Sequence, residues 1–269
     1  MEIKIYPKST TAGPDYSEYT PLNTIYRPSG RAKQYAEFAL NIYDGCNFSC
    51  SHCTAPQLLH FSKLAFYCSS HPKKNLLKRV DLDCRNLVNS GFRKKVLLCY
   101  ACDPYQDVDL ELKMTREVLL LFKKYGINFE VITRAGSRAK RDFDLYKKGD
   151  TFGTALMFLN PEKSKVGEPN AALPNDRIET LKAAYDLGIS TWVSLEPIID
   201  TEETLKLIDA THEFVDNYKI WPIYYDDRRQ KVEWDAFLDR LVQKLDGYGK
   251  EYCFRQELTG SAENKIITK

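Results

Sequence analysis

The 269-residue chain carries 39 Lys and Arg against 37 Asp and Glu, a formal net charge of +2, and 43% of its residues are apolar. Those values exclude a disordered or fibrous chain and argue against a strongly electropositive nucleic-acid binder. Apolar runs such as 96–102 and 118–122 fall far short of the roughly 20 residues that cross a bilayer, so no transmembrane helix is expected. The N-terminus does not read as a secretory signal, and a cytoplasmic location is expected.

Residues 1–34 contain Pro7, Gly13, Pro14, Pro21, Pro28 and Gly30 without sustained periodicity, which suits an extended leader. A strand fits 35–43, followed by a loop with Gly45 and three cysteines. The pattern then predicts a helix over 75–90 ended by Gly91, and a short buried strand over 95–101. A helix over 110–125 closes at Gly126, and the next strand covers 128–133. A basic helical segment runs to about Lys148, and 152–159 reads as a strand. A helix over 174–187 has Pro174 in its first turn and Gly188 as its stop. Strand 190–198 leads to helix 201–217, whose acidic first turn suits the helix dipole. Strand 219–223, helix 232–245 and a last strand over 252–258 complete the series.

Six strand-then-helix units imply a parallel sheet whose right-handed crossovers bring the C-terminal ends of the strands to one side. The expected fold is α/β, a partial (β/α)6 barrel over 35–260 between the leader and a tail at 261–269. The pattern leaves a doubly wound sheet open. In either architecture the chemistry belongs at the C-terminal ends of the strands, where the motifs fall.

Eight cysteines in a chain of this size without a signal point to reduced thiols that bind metal or lie buried. Cys46, Cys50 and Cys53 form C-x3-C-x2-C directly after the first strand. Three thiolates so close can hold one iron–sulfur cube and leave its fourth iron open. Zinc would need a fourth protein ligand. No second knuckle lies nearby, and His52 adjoins Cys53 too closely for the two side chains to converge readily. The polar neighbours Asn47, Ser49 and Ser51 make simple apolar burial a poor account of the loop.

The segment Gly30-Arg31-Ala32 through Tyr35 to Cys46, then Cys50, Cys53 and Ala55-Pro56, resembles the radical S-adenosylmethionine (radical SAM) superfamily, and within it the spore photoproduct lyase branch, often called DNA-repair-photolyase-like. The similarity continues through Asp103-Pro104-Tyr105-Gln106, Ile132-Thr133-Arg134, Glu168-Pro169 with Arg177, residues 194–199 and residues 252–258. The resemblance implies that Cys46, Cys50 and Cys53 hold a [4Fe-4S] cluster whose open iron chelates SAM. It further implies one-electron reduction to a 5′-deoxyadenosyl radical that abstracts hydrogen from substrate, with flavodoxin or ferredoxin as electron donor. A nucleic acid or nucleotide is the implied substrate class, with Arg134 to Arg141 as a phosphate-contacting rim.

Asp103 is expected to receive the SAM ammonium, Arg134 to pair with its carboxylate through a planar fork, and Thr154 to bond the ribose or carboxylate. The alternative readings are an Asp-Pro turn for Asp103 and a β-branched core residue for Thr154. Ser194 and Glu196 alternate onto one face, and Glu196 is a candidate for ribose or substrate. Glu168 could simply be loop surface. Cys102, beside Asp103, is a candidate thiol near the radical. Tyr100 stands where spore photoproduct lyase has its hydrogen-returning cysteine, and Thr54 where this branch commonly has tyrosine, which separates the chain from thymine-dimer repair as such. The competing class is a non-catalytic zinc- or Fe-S-containing nucleic-acid-binding module.

Overall fold

The computed structural model describes residues 24–222 and 232–254. The second half of the expected strand 252–258, the tail and most of the leader lie outside them.

A short strand β1 (Ile25–Tyr26) pairs antiparallel with β2 (Phe38–Leu40). A hairpin of β3 (Tyr43–Asp44) and β4 (His71–Pro72) brackets the cysteine loop and two short helices, α1 (Ala55–Leu58) and α2 (Lys63–Cys68). Then come α3 (Leu76–Asn89), β5 (Lys95–Leu98), α4 (Asp107–Leu112), α5 (Met114–Tyr125), β6 (Asn128–Thr133), a 3-10 segment (Gly136–Leu145) and β7 (Thr151–Leu156). The chain continues through α6 (Pro161–Gly167), α7 (Pro174–Asp186), β8 (Ser190–Ile198), α8 (Thr201–Thr211), β9 (Asn217–Pro222), α9 (Trp234–Gly247) and β10 (Glu251–Phe254).

The main sheet has eight strands in the order β1-β2-β5-β6-β7-β8-β9-β10, and every pairing after the first is parallel. The order never reverses, as a doubly wound sheet requires, so the sheet is the singly wound, open-barrel type. Among the described residues no pairing joins β10 to β1.

Alternation along each strand divides the core in two. Phe38, Val96, Leu98, Phe129, Val131, Phe152, Leu156, Val193, Leu195, Tyr218 and Ile220 face the helices, where they meet Val80, Leu87, Val118, Phe122, Leu181, Leu241 and Leu245. The opposite face gathers Ala39, Leu97, Ile132, Ala155, Trp192 and Trp221 around Tyr35, which enters from the 3-10 turn Gly30–Gln34. The end of the expected leader therefore joins the sheet as β1, and Tyr35, expected to open the first strand, instead caps the 3-10 turn and plugs the lumen. Tyr35 packs on Trp221 at 4.8 Å between ring centroids and on Tyr100 at 5.2 Å. Gly153 keeps this interior closed, because a Cβ there would stand 2.2 Å from Cε2 of Trp192.

Lys113 breaks the expected helix 110–125 in two, since its backbone is left-handed at φ 51° and starts a new helix at Met114. The basic segment after β6 is a 3-10 run, not an α-helix. Among the described residues no helix is long and apolar enough to cross a membrane.

Candidate functional site

The cysteine loop leaves the sheet after β3 and is tied down along its length. Gly45 has φ +83°, and a Cβ there would meet the Ser69 and Phe66 carbonyls at 2.6 and 2.7 Å, so only glycine lets the loop cross α2 so closely. The Cys46 N–H donates to the Phe66 carbonyl at 2.9 Å, and the Tyr67 hydroxyl to the Cys50 carbonyl at 3.1 Å. Fully buried Gln106 acts as a buckle: its Oε1 accepts from Asn47 N–H, while its Nε2 donates to the carbonyls of Gly45 and Asp103. From the far side, Ser51 N–H donates to the Gly167 carbonyl and Asn170 Nδ2 to the Asn47 carbonyl, both at 2.8 Å.

Cys46 and Cys53 are half-buried and Cys50 is buried. Burial, reinforced by the Asp103 carboxylate, pushes the Cys46 thiol well above its usual range. Burial lifts Cys50 to about 12 against the pull of the Arg134 guanidinium, and also raises Cys53. Thiols bind metal as thiolates, so a cationic centre that takes up their negative charge fits this desolvated trio. Among the described residues, the donor atoms that close to within 4.8 Å are those of Cys50, His52 and Glu168, not the three thiols. A single zinc ion, with Zn–S near 2.3 Å, draws its ligands into contact with one another. Three thiols without a fourth protein ligand among the described residues suit a centre that keeps one position open. Glu168 is already claimed by two guanidinium groups, which leaves the Cys50–His52–Glu168 group a poor cation site.

Glu168 lies in the interior at 2% exposure, not on a loop surface. Its Oε1 accepts from Arg134 Nε at 2.6 Å, and its Oε2 faces Arg177 Nη2 at 2.7 Å. Burial works against the charge, but Arg177 and then Arg134 hold the carboxyl down to about 2. Arg177, 1% exposed, also donates to the carbonyls of Ala172 and Ala155. Arg134 feels both Cys50 and Glu196 electrostatically, so its guanidinium stands between the cysteine loop and the lumen. Sequence patterning could not reveal this network, because its members come from β6, the turn after α6, and α7.

Asp103 is buried and already engaged. Oδ1 accepts from Tyr105 N–H at 2.9 Å and from the Thr133 hydroxyl at 2.8 Å, and Oδ2 accepts from Arg134 N–H at 2.6 Å. The carboxylate thus clamps the end of β5 to the end of β6, and burial raises its pKa despite these donors. The Asp-Pro turn reading is realised in this clamp.

Ser194 and Glu196 do share the lumen face. The Tyr35 hydroxyl is 2.8 Å from Ser194 Oγ, and burial together with the nearby Glu196 carboxylate drives its pKa far up. Tyr100 also lies against the lumen cluster, edge-on to Tyr35. Cys102 is 9% exposed, within hydrogen-bonding reach of Cys99 and electrostatic reach of Cys46. Thr154 is not brought to the site. It shares the helix-side face of β7 with Phe152 and Leu156, and its hydroxyl donates to the Thr133 carbonyl at 2.6 Å. The arginines of the expected phosphate-contacting rim all carry carboxylate partners: Arg134 pairs with Glu168, Arg138 with Asp107 and Arg141 with Asp109. These charges staple the 3-10 segment to its neighbours.

A family model described as the radical SAM superfamily matches residues 40–215. An uncharacterized protein of Methanocaldococcus jannaschii is 27% identical over 186 residues, which cover 68% of this chain and 69% of that protein. Among solved structures, a spore photoproduct lyase complexed with dinucleoside spore photoproduct superposes with a TM-score of 0.66 at 11% identity, covering 87% of this chain and 79% of that one. Streptococcus suis SuiB bound to S-adenosylmethionine gives a TM-score of 0.60 at 12% identity over 80% of this chain. The chain spans just under half, 46%, of the length of SuiB.

Proposed function

The chain belongs to the radical SAM superfamily, and from that premise we propose that it uses Cys46, Cys50 and Cys53 to hold a [4Fe-4S] cluster and the adjoining strand ends to hold S-adenosylmethionine. Bound there, the pair would supply reductive cleavage of the sulfonium to methionine and a 5′-deoxyadenosyl radical that takes hydrogen from substrate.

The chain's own residues have separable tasks. Gln106, Gly45 and the contacts from residues 167 and 170 fix the cysteine loop before any ligand arrives. Asp103 locks the β5 and β6 ends together and sets the Arg134 backbone. Arg134 spends its Nε on Glu168; its terminal nitrogens would take the methionyl carboxylate as a fork. Asp103 would contribute negative potential toward the ammonium, and Ser194 and Glu196 would meet the ribose or the substrate. The aromatic plug of Tyr35, Trp192 and Trp221 closes the lumen below and would keep water from the radical. Tyr100 and Cys102 are the candidates to return hydrogen.

The observation that carries this reading is the pair of guanidiniums beside the thiols: fully buried Arg177 and half-buried Arg134 converge on Glu168 next to Cys50. Such a pair suits an anionic thiolate-held centre and a carboxylate. A nucleotide or nucleic-acid substrate is supported by the fold shared with spore photoproduct lyase, and such a substrate would enter past Glu196 at the strand ends. The test is anaerobic reconstitution followed by reduction in the presence of SAM. The expected result is brown protein that releases 5′-deoxyadenosine; fully clustered protein that never does so with candidate substrates present would overturn the proposal.

A further inference from the structure

Residues 45–80 contain no aspartate or glutamate, yet include Lys63, Lys73, Lys74, Lys78 and Arg79 in a chain whose total charge is nearly balanced. Lys73 is neutralised by Asp44. The middle of this stretch, residues 57–65, is exposed throughout. It presents Leu58 at 66%, Leu59 at 44%, Phe61 at 43% and Leu64 at 75% exposure. Contiguous apolar surface of this kind marks contact sites, whereas single exposed leucines are ordinary. The long helices α7, α8 and α9 carry charges of both signs, as in the Lys182–Asp186 and Arg240–Glu202 pairs.

The same segment forms the outer wall of the thiol loop. Phe66 accepts the Cys46 N–H, Tyr67 donates to the Cys50 carbonyl, and Lys63 lies within electrostatic reach of Cys53. Any partner seated on α1 and α2 is therefore one layer of protein from the cysteines.

We infer that the α1–α2 face is the docking surface of an acidic one-electron carrier protein. The inference rests on the proposed function, which needs one electron from outside for each cleavage. The transfer is balanced simply: the carrier is oxidised by one electron, the thiolate-held centre is reduced by one, and no bond or proton moves. The basic, acid-free segment steers an anionic carrier toward the loop, and the leucines supply the dehydrated contact. A nucleic acid fits less well, because phosphate binding calls for clustered Lys and Arg, while Lys63 is the only Lys or Arg within residues 57–65, which expose four large apolar side chains.

The test uses anaerobically reconstituted full-length protein. Reduced flavodoxin is mixed with the wild type, a Leu58→Ser/Leu64→Ser variant and a Lys74→Glu variant in a stopped-flow spectrometer, in parallel with dithionite. The expected result is a fall of about tenfold or more in the flavodoxin-driven rate for the double variant and a smaller fall for Lys74→Glu, with steep salt dependence in the wild type. Dithionite reduction and SAM-dependent 5′-deoxyadenosine formation should stay at wild-type levels. A flavodoxin rate within about twofold of wild type, or an equal loss with dithionite, overturns the assignment. Lost binding of a single-stranded oligonucleotide with an intact flavodoxin rate gives the face to a nucleic acid and overturns it as well. If wild-type protein holds no reducible centre, the proposed function and the docking site fall together. If wild type makes 5′-deoxyadenosine with dithionite but the variants accept electrons normally, only the docking site falls.

Discussion

Two arginine–carboxylate networks, one around Asp109 and one around Glu168, are built differently. Beneath α4 and α5, Arg116 and Arg141 meet Asp109, Asp142 and Asp144, so the carboxylates outnumber the guanidiniums. Asp109 also accepts from the Tyr43 hydroxyl and Thr115 N–H, which ties the hairpin carrying the cysteine loop to α5. At the strand ends, Arg134 and Arg177 share only Glu168. The first system fastens elements together, although Arg141 Nε and Asp142 Oδ2 stand 3.7 Å apart without a hydrogen bond. The second turns its two guanidiniums toward Cys50 and the lumen, where Arg134 also feels Glu196.

Removing the carboxylates breaks that comparison most sharply. Glu168→Ala strands fully buried Arg177 and should cost about 3–5 kcal/mol of stability, with Asp109→Ala in the same range. Denaturant titration measures both losses. Only Glu168→Ala should also weaken SAM affinity in the reconstituted protein, and equal SAM affinity in the two variants would erase the functional distinction.

The pH dependence should separate the systems by sign. Glu168 is held down to about 2 from an ordinary 4.5, so its contribution is complete above 4.5 and is lost as pH falls through 2, roughly 3 kcal/mol in all. Asp109 is raised by burial; its contribution is present below its unfolded value and fades as pH rises through its folded one. Glu168→Gln should therefore flatten the acid limb of a stability profile, and an unchanged limb would refute the assignment.

Arg134→Lys sharpens the comparison from the ligand side. Charge is retained but the fork is lost, and loss of a charge-assisted bond is worth about 1.5–3 kcal/mol, which corresponds to a ten- to hundredfold weaker SAM dissociation constant by calorimetry. Tyr35→Phe should have the smallest effect, about 1 kcal/mol for the bond to Ser194, read as a small fall in melting temperature with SAM affinity retained.

The barrel was legible because each strand is a short apolar run between amphipathic helices. The expected strands 128–133 and 190–198 match β6 and β8 to the residue. β1 is too short to show a period, and α1, α2 and α6 span at most seven residues each, with no room for an amphipathic repeat. The cysteine loop stood out because its spacing is local. Glu168 did not, since its burial depends on arginines 34 residues earlier and nine later, a relation that only the folded chain creates. Thr154 was misplaced for a simpler reason: the period-2 pattern does not say which face of β7 is the lumen, and Ala155, beside Trp192, occupies that face.

Electron paramagnetic resonance of the reduced, reconstituted protein with and without SAM tests the central claim most directly. A cube held by Cys46, Cys50 and Cys53 with one open iron predicts a spin signal that shifts when SAM is added. A signal blind to SAM, or zinc in place of iron in protein prepared without air, would contradict it.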